Sequence, residues 1–237
     1  MELLEEILSN QNMNKAYKRV YRNKGASGVD GVTVKELKVY LRIHKDNIRA
    51  QIRKRKYRPA PALRVEIPKE NGKTRKLGIP TVVDRVIQQA ISQKLSPIFE
   101  KQFSEYSYGF RPGRNCEMAI IQVLEYMNDG YTWLVDIDLE RFFDTVHHDK
   151  LMRIISHTIK DGDVISLIRK YLVSGVMING QYENTPVGTP QGGNLSPLLS
   201  NIMLNELDKE LEARGLRFVR YTDDSLLSEV KKRQTES

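Results

Sequence analysis

The chain contains few residues that could form covalent or thiol-based sites. Its 237 residues include one cysteine, Cys116, and four histidines. A single cysteine excludes an internal disulfide and a cysteine-based zinc site, which fits a reducing compartment. No apolar run reaches the roughly 18 residues that a membrane-spanning helix requires. The N-terminal segment 1–6 is acidic and amphipathic, unlike a secretory signal.

Positive charge, by contrast, is abundant and unevenly distributed. The 38 Lys and Arg outnumber the 30 Asp and Glu, which gives a formal net charge of +8 and a sequence pI of about 9.4. Residues 42–76 contain 13 of the basic residues and three of the acidic ones. A solvated basic surface is the plainest interpretation, but such density is more typical of a protein that binds nucleic-acid phosphates. The 40% apolar content predicts one large or two small globular units.

Two adjacent carboxylates stand out near the C-terminal end. The tetrapeptide Tyr221-Thr222-Asp223-Asp224 lies between the β-like runs 216–220 and 225–227. This pattern predicts a tight hairpin with both aspartates at its tip. A solvated turn would be their ordinary role, because Asp is common in turns. Two ionised carboxylates held side by side repel each other, however, and a divalent cation such as magnesium would relieve that repulsion.

A further carboxylate ends another predicted strand. The run 132–138 predicts a buried strand whose alternation places Asp136 and Asp138 on one face. Carboxylates on so apolar a strand are costly unless they are paired or bind a metal. If this strand and the hairpin are neighbours in one sheet, Asp138 joins the Asp223–Asp224 pair. Three such carboxylates can hold two divalent ions about 3.5–4 Å apart, which is an arrangement that serves phosphoryl transfer.

A second hairpin and a helix are predicted in the first half of the chain. Segment 65–79 has Asn71-Gly72 between two β-like runs and carries several basic residues, which predicts a β-hairpin. An equally good explanation of its positive charge is that charged side chains keep an exposed sheet edge from pairing with another chain. Thr81 and Asp84 resemble the capping box of the helix that follows, and that helix should bury one apolar stripe.

Three loops carry the remaining motifs. Segment 23–31 has three glycines, which predicts a loop with unusual backbone angles. Segment 106–114 combines aromatic and arginine residues, a combination that suits nucleic-acid backbones and stacked bases. Segment 189–194 is rich in turn residues and precedes a helix that Ser196 should cap.

Five blocks of this sequence resemble, in the same order, those of the reverse transcriptase domain of bacterial group II intron-encoded proteins, also called maturases. The blocks are Leu77-Gly78-Ile79-Pro80, Tyr108-Gly109-Phe110-Arg111-Pro112-Gly113-Arg114, Asp138-Leu139-Glu140-Arg141-Phe142-Phe143-Asp144, Gly188-Thr189-Pro190-Gln191-Gly192-Gly193 and Tyr221-Thr222-Asp223-Asp224. The resemblance extends from the loop at 23–31 to Val230. Five ordered matches are far more specific than one Asp-Asp pair.

The resemblance implies an α+β fold with the fingers and palm of a right-hand polymerase. An antiparallel palm sheet would pack on helices, after an N-terminal helical extension. Residues 1–35 would form that extension and a loop over the template, 36–130 the fingers with the basic hairpin 64–79, and 131–237 a palm that lacks its thumb. The implied function is RNA-directed DNA polymerase of a group II intron, combined with binding and splicing of the intron RNA.

The same resemblance implies a role for particular residues and cofactors. Asp138, Asp223 and Asp224 would be catalytic and would bind two Mg²⁺ ions, for which Mn²⁺ could substitute, with the Leu139 carbonyl as an extra ligand. Asp136 would be a neighbour of the site and not a ligand. Residues that would bind the incoming deoxynucleotide are Lys69, Arg75, Gln191 and Phe143, whose ring would exclude a ribose 2′-hydroxyl. Residues that would contact nucleic acid are Lys24, Arg53, Lys54, Arg55, Lys56, Arg58, Arg111, Arg114, Pro190 and Gly192.

Two departures from the family pattern and several alternatives remain. The position of Thr222 is usually Ala in the family, and the chain stops soon after Asp224, which suggests a fragment with weak polymerase activity. The alternatives are a non-catalytic RNA-binding splicing cofactor, a reverse transcriptase of another retroelement (a retron or a CRISPR-associated enzyme), and an RNA-dependent RNA polymerase, against which Phe143 argues. The expected partners are intron RNA, an RNA template with a DNA primer, and deoxynucleotides, in the bacterial cytoplasm and without a membrane. Homodimer formation is left open.

Overall fold

A computed structural model describes residues 2–68, 72, 74–189 and 192–229. The chain divides into two compact units. The first unit comprises Met1–Ile98 and Phe143–Leu199, and the second comprises Phe99–Phe142 and Ser200–Ser237. The boundaries expected after residues 35 and 130 were inferred from function and not from compactness, and they stay predictions.

The first unit is mostly helical. Its helices are α1 (Leu3–Leu8), α2 (Asn10–Arg22), α3 (Leu37–Arg53), α4 (Val82–Phe99), α6 (Phe142–Thr145), α7 (His148–Thr158) and α8 (Gly162–Leu172). Side chains at helix starts satisfy backbone donors that would otherwise lack partners. Ser9 accepts from the amide of Asn12 at the start of α2, and Asp161 accepts from Asp163 and Val164 at the start of α8. Asp161 also accepts from the amide of Leu4 and thereby ties α1 to α8.

A four-stranded sheet completes this unit in the order β2-β1-β4-β5. Its strands are β1 (Ala62–Pro68), β2 (Thr74–Ile79), β4 (Val176–Ile178) and β5 (Gln181–Glu183). The antiparallel register from Leu63↔Ile79 to Pro68↔Thr74 confirms the basic hairpin that the Asn-Gly signal predicted. Residues 69–71 and 73 of its tip lie outside the described part of the chain. A short parallel pairing of β1 with β4 joins this hairpin to the antiparallel β4–β5 pair.

Helix α4 is the buried centre of the first unit. Its predicted apolar stripe is buried at every position, namely Val83, Val86, Ile87, Ala90, Ile91 and Leu95. The predicted cap is confirmed, because Thr81 Oγ1 donates to Asp84 at 2.7 Å and accepts from the Asp84 amide at 3.1 Å. Asp84 also accepts from the hydroxyls of Tyr57 at 2.7 Å and Tyr171 at 3.2 Å. Burial raises the pKa of Asp84 although these hydrogen bonds act to lower it.

We expect Tyr57→Phe to destabilise the protein by about 1–3 kcal/mol, because it removes a hydrogen-bond donor from the buried Asp84 carboxyl group. That donor acts to lower the pKa of Asp84, so its removal raises the pKa further. The penalty should therefore decrease as the pH falls through the folded-state pKa of Asp84. Urea unfolding over a series of pH values measures the penalty. Tyr182→Phe, at an exposed hydroxyl, is the control, and an equally small penalty in both variants would contradict the assignment.

The second unit is built on a three-stranded antiparallel sheet in the order β3-β7-β6. Its strands are β3 (Trp133–Asp138), β6 (Arg217–Tyr221) and β7 (Asp224–Glu229). Helix α5 (Cys116–Asn128) and most of α9 (Ser196–Ala213) accompany the sheet. A small aromatic core joins α5 to the sheet, formed by Tyr108, Ala119, Tyr126 and Val219.

The prediction that β3 is a buried strand was wrong. Trp133, Leu134 and Val135 are 58%, 41% and 50% exposed. The reason is topological: β3 is an edge strand that pairs only with β7 within the described residues. Hydrophobicity shows that a strand could be buried but not whether a neighbour covers it. Among the described residues, no helix is both long enough and apolar enough to cross a membrane.

Candidate active site

The β6–β7 hairpin places the aspartate pair at its tip, as predicted. Tyr221 pairs with Asp224, so the turn consists of two residues, Thr222 and Asp223. Thr222 has a φ of 64°, as the first position of a type II′ turn requires. Glycine is usual there, and a β-branched residue at positive φ is strained. The Thr222 hydroxyl donates to the Asp223 carboxylate at 2.8 Å.

The register of the neighbouring pair brings in the third carboxylate. Asp138 lies directly opposite Asp224 in the antiparallel β3–β7 pairing. Directly opposed residues in such a ladder have Cα atoms about 4.5–5.5 Å apart and side chains on the same face. Asp138, Asp223 and Asp224 therefore come together within the second unit, as the convergence hypothesis required.

The negative charges of the neighbouring carboxylates act on Asp224. The pKa of Asp224 is raised, first by partial burial and then by the negative charges of Asp223, Asp138 and Asp136. Asp136 opposes Leu226, so it occupies the diagonal position to Asp224. The cluster thus concentrates negative charge on one face of the sheet, where a cation would be attracted.

The donor set fits a hard divalent cation. Carboxylate and carbonyl oxygens are the ligands that Mg²⁺ prefers. Within the described residues, no three His, Cys, Asp or Glu side chains already surround one point closely enough to hold an ion. Asp138 and Asp224 are exposed, so their side chains can turn towards a shared ion. The Leu139 carbonyl accepts from the Phe142 amide at 3.2 Å and retains a second lone pair for a ligand.

The residues predicted to bind the nucleotide are only partly described. Lys69, Pro190 and Gln191 lie outside the described residues. Arg75 lies in β2 opposite Ile67, and nothing is described of its side chain. Phe143 is buried in the first unit, where its carbonyl accepts from the Thr189 amide at 2.7 Å. Gly192 has a φ of 115°, and a side chain there would come within 2.4 Å of the Gly78 carbonyl.

Several arginines predicted to contact nucleic acid have partners within the protein. Arg53 forms a two-pronged ion pair with Glu5, and Arg55 pairs with Asp163. Arg114 donates to the Glu105 carbonyl and stacks over Tyr108. Four other predicted contacts are exposed and have no ion pair within the described residues, namely Lys24, Lys54, Lys56 and Arg58.

Arg111 is buried and bonded within the protein. Its guanidinium is buried, pairs with Glu100 at 2.7 Å and donates to the carbonyls of Ser104 and Ser107. The predicted contact of Arg111 with nucleic acid stays a prediction. Arg is seldom buried unless it is paired, and the pairing with Glu100 is visible only in the structure.

Sequence reasoning missed a buried network behind the hairpin. Arg220 of β6 and Asp208 of α9 are fully buried and form a two-pronged ion pair at 2.6 and 2.7 Å. Burial raises the pKa of Asp208 despite this partner. A signal was present, because strand alternation places Arg220 on the same face as the apolar Phe218.

Gly109 contacts the turn so closely that a methyl group does not fit. An added Cβ would lie 2.3 Å from the Thr222 amide nitrogen. We expect Gly109→Ala to destabilise the protein by about 1–3 kcal/mol and to speed amide exchange at Thr222 and Asp223. Gly215→Ala is the control, because Gly215 has open space around it and a positive φ, and it should cost about 1 kcal/mol without affecting the turn. Unchanged exchange in Gly109→Ala would contradict this close packing.

Comparison with known proteins agrees with this geometry. The family model described as reverse transcriptase (RNA-dependent DNA polymerase) matches residues 67–237. Protein YkfC of Escherichia coli K12 is 41% identical over 220 residues, which cover 90% of this chain and 58% of YkfC. The group II intron-encoded protein LtrA of Lactococcus lactis subsp. cremoris is 38% identical over 229 residues, which cover 93% of this chain and 37% of LtrA.

A solved structure shows the same fold. A chain of a partial Cas6-RT-Cas1–Cas2 complex superposes with a TM-score of 0.61 at 22% identity and covers 96% of this chain and 38% of that one. The present chain spans 37–58% of the two curated relatives. Its mixed helices and antiparallel sheet form a fingers-and-palm fold, as the five motifs implied. The chain therefore belongs to the reverse transcriptase (RNA-dependent DNA polymerase) family, and its relatives include group II intron-encoded proteins.

Proposed function

We propose that this chain carries the polymerase site of a group II intron-encoded, RNA-directed DNA polymerase. One observation carries the proposal: Asp138 pairs directly with Asp224 beside Asp223 at a hairpin tip. Three carboxylates gathered at one end of the sheet suit phosphoryl transfer that depends on metal ions. No histidine or cysteine nucleophile is needed for that chemistry.

The reaction is the addition of a deoxynucleotide to a primer. The primer 3′-oxygen bonds to the α-phosphorus of the nucleotide, the bond to the leaving oxygen breaks, and pyrophosphate is released. The reverse transcriptase family depends on divalent metal, and two Mg²⁺ ions would supply charge stabilisation at the attacking and leaving oxygens. Asp138, Asp223, Asp224 and the Leu139 carbonyl would hold these ions. Mn²⁺, which takes similar oxygen ligands, is the proposed substitute.

Other residues would bind and select the nucleotide. Lys69 and Arg75 are proposed to neutralise the triphosphate, since both belong to the basic hairpin. Gln191 is proposed to line the nucleotide pocket. The ring of Phe143 is proposed to exclude a 2′-hydroxyl, supported by the hydrogen bond that anchors its backbone to Thr189.

Binding of intron RNA is a second proposed function, favoured by a basic row on α3. Lys38, Arg42, Lys45 and Arg49 follow a spacing of four, three and four residues, which places them on one helix face over about 16 Å. None of the four forms an ion pair with another described residue. They line a cleft of about 360 Å³ together with residues of α2 and α4. Free cations in such a row can bind successive phosphates.

Two further expectations concern the location and the self-association of the protein. The bacterial cytoplasm is the proposed location, supported by the lone cysteine, Cys116, which is exposed and free. Self-association is proposed because the edge strand β3 exposes apolar side chains. Sedimentation of the purified protein over a range of concentrations would measure it, and a single monomer species throughout would exclude it.

Two substitutions on one strand test the polymerase site. We expect Asp138→Asn to lower the rate of primer extension at least a thousandfold on an RNA template, because it removes a proposed metal ligand. Asp136→Asn, on the same strand face, should retain activity within tenfold, because Asp136 contributes charge but no ligand. RNA affinity should be unchanged in both variants. Similar rates in the two variants would contradict the assignment of the ligands.

A pair of double substitutions tests the RNA surface. We expect Arg42→Gln with Lys45→Gln to weaken binding of intron RNA and to reduce the slope of log affinity against log salt by about 1.5. The control is Lys209→Gln with Arg214→Gln, which changes the net charge equally but removes cations already paired with Glu206 and Glu210. Filter binding over a salt series measures both slopes. Equal slopes in the two double variants would contradict the proposal.

A further inference from the structure

Arg220 uses every hydrogen-bond donor that an arginine has. A guanidinium carries five N–H groups, and all five have acceptors here. The donor contacts are Nε and Nη2 to Asp208, Nη1 to the Asn201 side chain at 3.1 Å and to the Thr222 carbonyl at 2.7 Å, and Nη2 to the Ser107 hydroxyl at 2.7 Å. The side chain is 0% exposed. Its position is therefore determined from four directions at once.

One of these contacts reaches the turn that carries the proposed metal ligands. The Thr222 carbonyl belongs to the peptide that links Thr222 to Asp223. Thr222 itself is held at a positive φ that a β-branched residue rarely adopts. Such a conformation persists only where the surroundings impose it. The bond from Arg220 is one such restraint, applied on the sheet face opposite to that of Asp224.

A loop adds a second restraint on the turn. Gly109 lies against Thr222, and its carbonyl accepts from the Asn201 side chain at 2.9 Å. The same loop is bonded to β6, since the Tyr108 amide donates to the Arg220 carbonyl and the Arg220 amide donates to Tyr106. Asn201 thus bonds to both Arg220 and the loop, and each of these two contacts Thr222.

The ion pair with Asp208 determines how Arg220 can act on the turn. The two-pronged pair with Asp208 cancels the guanidinium charge. Arg220 therefore acts on the turn through directed bonds and not through a net positive field. Stability alone does not account for such a pair, because apolar residues of similar volume often replace a buried ion pair with little or no loss of stability. Directed bonds to a strained turn are something that apolar residues cannot supply.

We propose that Arg220, held by Asp208 and Asn201, is a positioning residue that keeps the Thr222–Asp223 turn in the conformation that binds divalent cations. This proposal rests on the polymerase site proposed above. It assigns the three buried residues to the preorganisation of Asp223 and Asp224. Without them the turn would be free to relax, and metal binding would have to restore its conformation at a cost in affinity.

The test replaces the ion pair by apolar residues in the full natural protein. The double variant Asp208→Leu with Arg220→Met keeps the volume and removes both charges, and Arg220→Lys keeps the charge but cannot reach Thr222 and Asp208 together. Mn²⁺ affinity is measured from the spectroscopic signal of free Mn²⁺. The Mg²⁺ midpoint and the saturated rate of primer extension are measured separately. Urea unfolding checks that each variant is folded.

We expect the double variant to stay folded with a lower urea midpoint, because Ser107, Asn201 and the Thr222 carbonyl lose the donor they share. Its Mn²⁺ affinity should fall at least tenfold. Its Mg²⁺ midpoint should rise by the same factor, and its rate at saturating Mg²⁺ should stay within threefold. A purely structural role would not produce this separation. Arg220→Lys should weaken Mn²⁺ binding three- to tenfold. If the double variant does not fold, the Mn²⁺ affinity of Arg220→Lys alone tests the positioning role.

Wild-type Mn²⁺ affinity and Mg²⁺ midpoint in a folded Arg220 variant would overturn the positioning role. Asp223→Asn separates this failure from failure of the proposed function. If Asp223→Asn abolishes Mn²⁺ binding while the Arg220 variants bind normally, only the positioning role is wrong. If Asp223→Asn itself leaves Mn²⁺ binding and primer extension intact, the proposed metal site is wrong, and the role of Arg220 falls with it.

Discussion

The second unit depends on holding like charges together at one end of a small sheet. Asp138, Asp223 and Asp224 lie close enough to repel one another, and partial burial together with the neighbouring negative charges raises the pKa of Asp224. The backbone ladder of β3, β7 and β6 opposes that repulsion, because its register places Asp138 opposite Asp224. Ladder hydrogen bonds form without regard to side-chain charge, so the sheet can maintain a cluster that its carboxylates would by themselves disperse.

Two buried carboxylates elsewhere illustrate different solutions to the cost of burial. In the first unit, Asp84 is surrounded by neutral donors from Thr81, Tyr57 and Tyr171. In the second, Asp208 is matched by the arginine that also reaches the turn. Burial raises the pKa of both. The hydrogen bonds around Asp84 connect α4 and α8 to Tyr57 in the segment after α3. The ion pair between Asp208 and Arg220 connects α9 to the β6–β7 hairpin.

Local patterns predicted the elements that depend on neighbours in sequence. The Asn71-Gly72 hairpin, the Thr81–Asp84 cap and the Asp223–Asp224 hairpin were all found, because turn and cap chemistry acts over a few residues. The exposure of β3 and the burial of Arg111 were not foreseen, and the two share one reason. Exposure of a strand and pairing of an arginine depend on elements that are remote in sequence, and neither leaves a local signature.

The sequence by itself determined the residue types of the candidate site, the turn that joins two of its carboxylates, and the family to which the chain belongs. Tertiary structure alone decided that β3 pairs with β7 in the register that opposes Asp138 and Asp224. It also decided that Arg220 points away from these carboxylates, towards Asp208. The physical reason is that strand order and register follow from packing and backbone pairing across more than 80 residues of intervening chain, which no short motif encodes.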